Sequence, residues 1–302
     1  MNNYHRQVRL LVQLLGLVDT EKCFALKGGT AINLFMQNLP RLSVDIDLVY
    51  LPNENRTKAL KNIKDALDRI AKLIKQQFST TSILKSYLHK DDALRLVVTV
   101  KGIMVKVELS PVLRGTVFPT VRKSVVDEVE NMFGYAEIEV VSRADLYASK
   151  FCAALDRQHP RDLFDVKLFL DNQDFDTSIR KAFIVYLISH PRPISEILNP
   201  RIKPLSAVYE SEFKGMTFVK TSLYELEESL IGLIKLVNQS LSDDEKQFLL
   251  FFQKNQTNWS LLGLDQVEEL SAVKWKQLNI AKMSRQTMND EVNKLKQIFG
   301  LL

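Results

Sequence analysis

Two aspartates one residue apart stand in the run Val44-Asp45-Ile46-Asp47-Leu48, whose apolar positions otherwise read as a strand. Side chains alternate across a strand, so Val44, Ile46 and Leu48 face one way and Asp45 and Asp47 the other. Aspartate is depleted in strands, and two on one face repel each other. A divalent cation between them removes that repulsion, and hard oxygen donors are what Mg²⁺ prefers, with Mn²⁺ the alternative. Just upstream, Leu26-Lys27-Gly28-Gly29-Thr30 carries the chain from a strand through a tight turn into a helix. There, bare backbone amides and the positive helix end can hold a phosphate. A phosphate cradle and a carboxylate pair together suggest chemistry on a nucleotide. A solvated edge strand would also carry carboxylates, but the apolar opposite face and the upstream Gly-Gly-Thr argue against it.

The elements that must position these groups can be read from periodicity. Val8, Leu11, Val12, Leu15 and Val18 share one face of a first amphipathic helix. Cys23 to Leu26 reads as a short buried strand and Ala31 to Met36 as a helix. After the aspartate strand, Leu60, Ile63, Leu67, Ile70, Ile74 and Phe78 mark a long amphipathic helix. A hairpin follows, Leu94 to Val100 and Ile103 to Leu109, turning at Lys101-Gly102. Phe118 to Val141 reads as a connector ending in a strand, Glu137 to Val141. From Ser142 onward the pattern is helical, with capping-box signatures at Ser142/Asp145 and Ser242/Glu245, and with Pro191, Pro193, Pro200 and Pro204 punctuating a loop. The expected class is α+β: a small mixed-sheet domain over residues 1–141, with helices on one side, then an α-helical domain over residues 142–302.

At 302 residues the chain can bury an ample core. Its 46% hydrophobic and 25% charged residues are those of an ordinary globular protein. A net charge of +5 favours a polyanionic partner only weakly. Cys23 and Cys152 are too few for a disulfide framework, which fits a reducing cytoplasm. The four histidines form no zinc-ligand spacing. Leu10 to Val18 has the length of a signal core, but its apolar residues keep to one helical face and Asp19-Thr20-Glu21-Lys22 is no cleavage site. No segment has the length and hydrophobicity of a membrane span, so no membrane partner is expected.

Gly28-Gly29-Thr30-Ala31, with Arg41, Ser43 and Asp45-Ile46-Asp47-Leu48, resembles the nucleotidyltransferases of the polymerase-beta-like superfamily. Within it the chain is most similar to the AbiEii toxins of type IV toxin–antitoxin systems. The Gly-Gly-Thr-to-Asp spacing is longer than the Gly-Ser pattern of the wider superfamily, and Thr30 replaces its serine. Both departures favour the toxin branch over antibiotic-modifying transferases. The resemblance continues through Lys150, Arg161-Asp162 and Asp165 to Glu212-Phe213-Lys214-Gly215-Met216-Thr217, most of the chain.

The resemblance implies a Mg²⁺-dependent enzyme that moves a nucleoside monophosphate from an NTP to an acceptor hydroxyl and releases pyrophosphate. It implies an RNA acceptor, especially the tRNA acceptor end, a helical domain that completes the active site, and a separately encoded cognate antitoxin. Asp45 and Asp47 would hold the metal, and Gly28, Gly29, Thr30 and Ser43 the nucleotide. By itself, the alternation of Lys106 and Glu108 is what any half-exposed hairpin strand shows. The superfamily places its third carboxylate on such a strand, which implies that Glu108 completes the metal site or accepts the acceptor's proton.

Lys150 lies mid-face among Leu146, Tyr147, Phe151 and Ala154, where a lysine must either snorkel out or meet an anion. The resemblance implies a triphosphate ligand, replaceable by alanine without unfolding, and picks Asp162 over Asp165 as the functional aspartate. Helix N-terminal charge alone would explain one of those two. Arg157 and Arg161 are further candidates for phosphate contact. Two other readings stay open: a nucleotide-sensing or partner-binding module without turnover, and an enzyme that nucleotidylates protein.

Overall fold

The computed structural model describes residues 3–301. Helix α1 (Asn3–Val18) buries the predicted stripe, with Val8, Leu11, Leu15 and Val18 fully removed from solvent. Strand β1 (Phe24–Lys27) runs directly into a short α-helical turn, α2 (Gly28–Ala31), which continues as a π-helical turn over Ile32–Met36. The helix expected from Ala31 onward therefore begins at the glycines themselves. Strand β2 (Asp45–Tyr50) carries both aspartates. Helix α3 (Arg56–Gln77) starts where the Asn55 side chain accepts from the Lys58 amide, and it buries Leu60, Ile63, Leu67, Ile70 and Ile74.

Strands β3 (Thr81–Lys85), β4 (Arg95–Val100), β5 (Ile103–Leu109), β6 (Val121–Ser124) and β7 (Glu137–Val140) complete a seven-stranded sheet of order β3-β4-β5-β2-β1-β7-β6. The β2–β5 and β1–β7 pairs are parallel and the others antiparallel, so the sheet is mixed. Leu96, Val98, Val105 and Val107 are buried beneath the sheet, and α1 packs on β2, β5 and β7. The hairpin turns at Lys101-Gly102, both at positive φ (48° and 78°). Strands β3 and β6, and helix α4 (Asp127–Phe133), fall between the elements that periodicity predicts. Their exposure pattern explains this: β3 and β6 lie at the sheet edges, bear no fully buried residue, and give no alternating apolar signal.

From Arg143 the chain is helical: α5 (Arg143–Arg157), α6 (Pro160–Asn172), α7 (Thr177–Ile188), α8 (Ile194–Leu198), α9 (Ser206–Glu212), α10 (Leu223–Ser240), α11 (Asp243–Gln253), α12 (Ser271–Ala281) and α13 (Arg285–Ile298). The Ser242/Glu245 capping box forms as expected, and Ser222 with Glu225 forms a second. Helices α5, α6, α7 and α10 pack into one core around Phe151, Phe164, Phe169 and Phe183. The fold is thus α+β. It divides into two compact units, Met1–Ser142 with Gly215–Val219, and Arg143–Lys214 with Lys220–Leu302. Among the described residues no helix is long and apolar enough to cross a membrane.

Candidate active site

In the sheet unit, register determines which side chains meet. Asp47 on β2 stands opposite Lys27 on β1 and opposite Glu108 on β5, and Glu108 in turn stands opposite Arg95 on β4. Four charged residues, Lys27, Asp47, Glu108 and Arg95, thus form one row across four strands. Asp45, two residues before Asp47 on the same face, stands opposite Lys106. Asp45, Asp47 and Glu108 are partly exposed, whereas the alternate positions Ile46, Leu48 and Val107 are fully buried. The alternation read from the sequence therefore sorts carboxylates to one face and core to the other.

The glycines lie against this face. Gly28 adopts φ +74°, and a Cβ there would lie 2.4 Å from Asp47 Oδ2. A Cβ at Gly29 would lie 2.6 Å from Arg41 Nη2 and 3.2 Å from Ser43 Oγ. Positive φ and the nearness of Asp47 favour glycine at position 28, and the turn's backbone lies beside the carboxylate row. Thr30 is fully buried; its hydroxyl donates to the Asp45 carbonyl and lies 2.9 Å from the Ser43 hydroxyl. This changes the expected part played by Thr30: its hydroxyl ties the turn to the start of β2 and does not stand open to a phosphate.

Arg41 was legible only as part of a motif, and the structure gives it a place. It is 3% exposed, its Nη1 donates to the Leu42 carbonyl, and its guanidinium borders Gly29. Residues 215–219 return to the sheet unit to hold this stretch: Leu42 N–H donates to the Met216 carbonyl, Phe218 N–H donates to the Pro40 carbonyl, and Arg41 bridges Thr217. No periodicity in the sequence announces that return.

The donors on this face suit a hard divalent cation, because they are carboxylate oxygens on adjacent strands. Among the described residues no three His, Cys, Asp or Glu side chains converge as a complete ligand set. Asp45 and Asp47 supply a pair, while Glu108 is held by Arg95, with Nε to Oε1 at 2.8 Å and Nη2 to Oε2 at 3.3 Å. Two carboxylates plus substrate phosphates are a usual way for Mg²⁺ to be held, so the pair fits that ion without a closed protein cage.

The helical unit shows how Lys150 resolves its mid-face position. Helices α5 and α6 are joined by a short link in which Pro160 opens α6 and His159 Nδ1 accepts from the Arg161 amide. The hairpin brings Lys150 Nζ to 2.8 Å from Asp162 Oδ1 and 3.0 Å from Asp165 Oδ2. The three side chains are 7%, 6% and 0% exposed. Lys150 therefore does not snorkel; it meets two anions of its own chain. Arg157 adds a 2.8 Å contact to Asp162 Oδ2 from a side chain that is 61% exposed. Asp162 and Asp165 lie three apart on one helix face and both are engaged, so neither is explained by helix-end charge alone. The expectation that Lys150→Ala would leave the fold intact does not survive this geometry, because truncation removes the lysine that two buried aspartates share.

The chain's sequence matches, over residues 9–277, the family described as nucleotidyl transferase AbiEii toxin, type IV toxin–antitoxin system. Among solved structures, the fold is similar to MenT4, a nucleotidyltransferase toxin from Mycobacterium tuberculosis. That similarity has a TM-score of 0.58 at 14% identity and covers 97% of this chain and 93% of that one. Comparison with curated protein sequences gives no match.

Proposed function

This chain belongs to the AbiEii family of type IV toxin–antitoxin nucleotidyltransferases, and on that footing we propose that it uses Mg²⁺ to transfer a nucleoside monophosphate from an NTP to RNA. Family membership makes it a nucleotidyltransferase with an NTP substrate and a cognate antitoxin. The finer reading is that the acceptor is a hydroxyl at the tRNA acceptor end, that the reaction takes place in the cytoplasm, and that the toxic effect comes from the transfer itself. We assign residues 1–141 as the transferase domain and 142–302 as a helical domain carrying Lys150 and Asp162 as further functional groups.

In the transfer, the acceptor oxygen forms a bond to the α-phosphorus and the α–β bridging bond breaks. Pyrophosphate leaves with that electron pair, and the acceptor's proton passes to Glu108 or to solvent. Asp45 and Asp47 would hold the cation, which when bound would supply charge neutralisation at the triphosphate and activation of the acceptor hydroxyl. Gly28 and Gly29 present backbone amides to phosphate, and Ser43 stands beside them. The observation that carries the reading is the contact of the Gly28 turn with Asp47, where only a hydrogen fits. It puts a bare backbone and a carboxylate pair within one phosphate's reach.

The test is to incubate the full chain with each labelled NTP, Mg²⁺ and total RNA, and separately with cell protein. Label on tRNA that depends on Mg²⁺ is the expected result. Label on protein would move the acceptor to the protein class, and no label on either would support a binding module without turnover. Salt provides a second readout, since tRNA association should weaken steeply between low and physiological ionic strength.

A further inference from the structure

We propose that Arg95 is a positioning residue for Glu108, holding this carboxylate while nucleotide is absent and releasing it toward Asp47 when a triphosphate takes the guanidinium instead. The inference rests on the nucleotidyl-transfer reading above. Three observations carry it.

The first is occupancy. Both Glu108 oxygens are taken up, one by Arg95 Nε at 2.8 Å and the other by Nη2 at 3.3 Å. A carboxylate held on both oxygens is not offered to a cation, which accounts for the failure of Asp45, Asp47 and Glu108 to converge as a ligand set among the described residues. The second is charge order. Along the row Lys27, Asp47, Glu108 and Arg95, two like charges stand directly opposite each other in the middle. Like charges opposite one another repel, and Arg95 at the end of the row offsets this for Glu108. The third is exposure. Arg95 is 47% exposed and Glu108 31%, so the pair is screened by water and is displaced at small cost.

A guanidinium fork matches a phosphate as well as a carboxylate. A triphosphate entering beside Asp47 therefore competes for Arg95 with more charge than Glu108 can offer. Once Arg95 moves to phosphate, Glu108 is a free carboxylate next to Asp47. Arginine is needed for this exchange because a lysine cannot grip both oxygens of either partner.

The test uses the full-length protein and Mn²⁺ alone, with free Mn²⁺ followed by paramagnetic resonance in the absence of nucleotide. Removing one positive charge beside a carboxylate should tighten Mn²⁺ binding in Arg95→Gln by at least ~3-fold, a modest Coulombic gain at near-surface dielectric. Arg95→Lys, which keeps the charge but grips only one oxygen, should fall between wild type and Arg95→Gln, and Arg95→Gln/Glu108→Gln should lose the gain. In label transfer, Arg95→Gln should raise the KM for NTP by about 10-fold, the loss of one charged hydrogen-bonded contact, with a smaller change in kcat. Unchanged or weaker Mn²⁺ binding in a folded Arg95→Gln protein overturns the proposal. If wild type transfers no label, the transfer reading fails, while the Mn²⁺ titration still decides whether Arg95 withholds Glu108.

Discussion

The aspartates of the sheet unit and those of the helical unit sit in opposite electrostatic situations. Asp45 and Asp47 stand on a partly exposed sheet face, beside a turn whose glycines leave backbone uncovered. Asp162 and Asp165 are buried and already share Lys150. Water screens the first pair, so its mutual repulsion is tolerable until a cation arrives. No such screening protects the second, and its lysine must remain for the helices to pack. One pair stands on a partly exposed face, where a ligand can reach it, while the other is buried in the helical core.

The comparison is tested most severely at Lys150. Lys150→Ala should destabilise the helical unit by about 3–5 kcal/mol, the cost of stranding buried charge. Urea unfolding measures this directly. A variant as stable as wild type would mean that Lys150 is held loosely and is available to phosphate, as the family resemblance implies. On the sheet side, Asp45→Asn and Asp47→Asn should each slow transfer by at least about 10²-fold while changing the melting temperature far less than Lys150→Ala does, because both carboxylates are partly exposed. A loss of stability comparable to that at Lys150 would erase the distinction between the units. In growth assays, wild type expressed alone should slow growth and Asp45→Asn should not, with co-expressed cognate antitoxin relieving the effect. Equal toxicity of the two would separate harm from catalysis.

The smallest effect sharpens the contrast within the helical unit. Lys276 is also buried, yet its Nζ donates to the His190 and Arg192 carbonyls at 2.8 and 2.6 Å, with no carboxylate of the described residues within ion-pair distance. Burial lowers its pKa from 10.5 to about 8, against the more distant pull of Glu291 and Glu196. The sign is then fixed: between about pH 8 and 10.5 the unfolded chain binds a proton that the folded chain does not, so raising pH through that window stabilises the fold. Wild type should gain about 1–3 kcal/mol over that range relative to Lys276→Met, on the scale of 1.36 kcal/mol per pKa unit. Identical pH profiles for the two proteins would show that Lys276 keeps its proton throughout. Lys150, with two carboxylates at hand, illustrates what Lys276 lacks.

Much of the carboxylate face was legible because strands have a period of two and hairpins count outward from their turns. Asp45 and Asp47 on one face, and Ile46 and Leu48 on the other, follow from alternation alone. With the turn at Lys101-Gly102, the same counting already sets Arg95 opposite Glu108, so that pair was readable before any coordinates. The edge strands β3 and β6 were not, because an edge with no buried residue carries no apolar rhythm.

The sequence by itself determined the family, the α+β order of elements, the glycine turn and the spacing of the two aspartates, all of which are local or periodic properties. Tertiary structure alone decided which partners those residues keep. Lys150 shows this most clearly: its sequence neighbours said only that it must snorkel out or meet an anion, and the turn of α5 into α6 supplied Asp162 and Asp165. The inward hydroxyl of Thr30 and the return of residues 215–219 to Arg41 were settled the same way. Each depends on how separate elements are set against one another, and neither propensity nor periodicity specifies that.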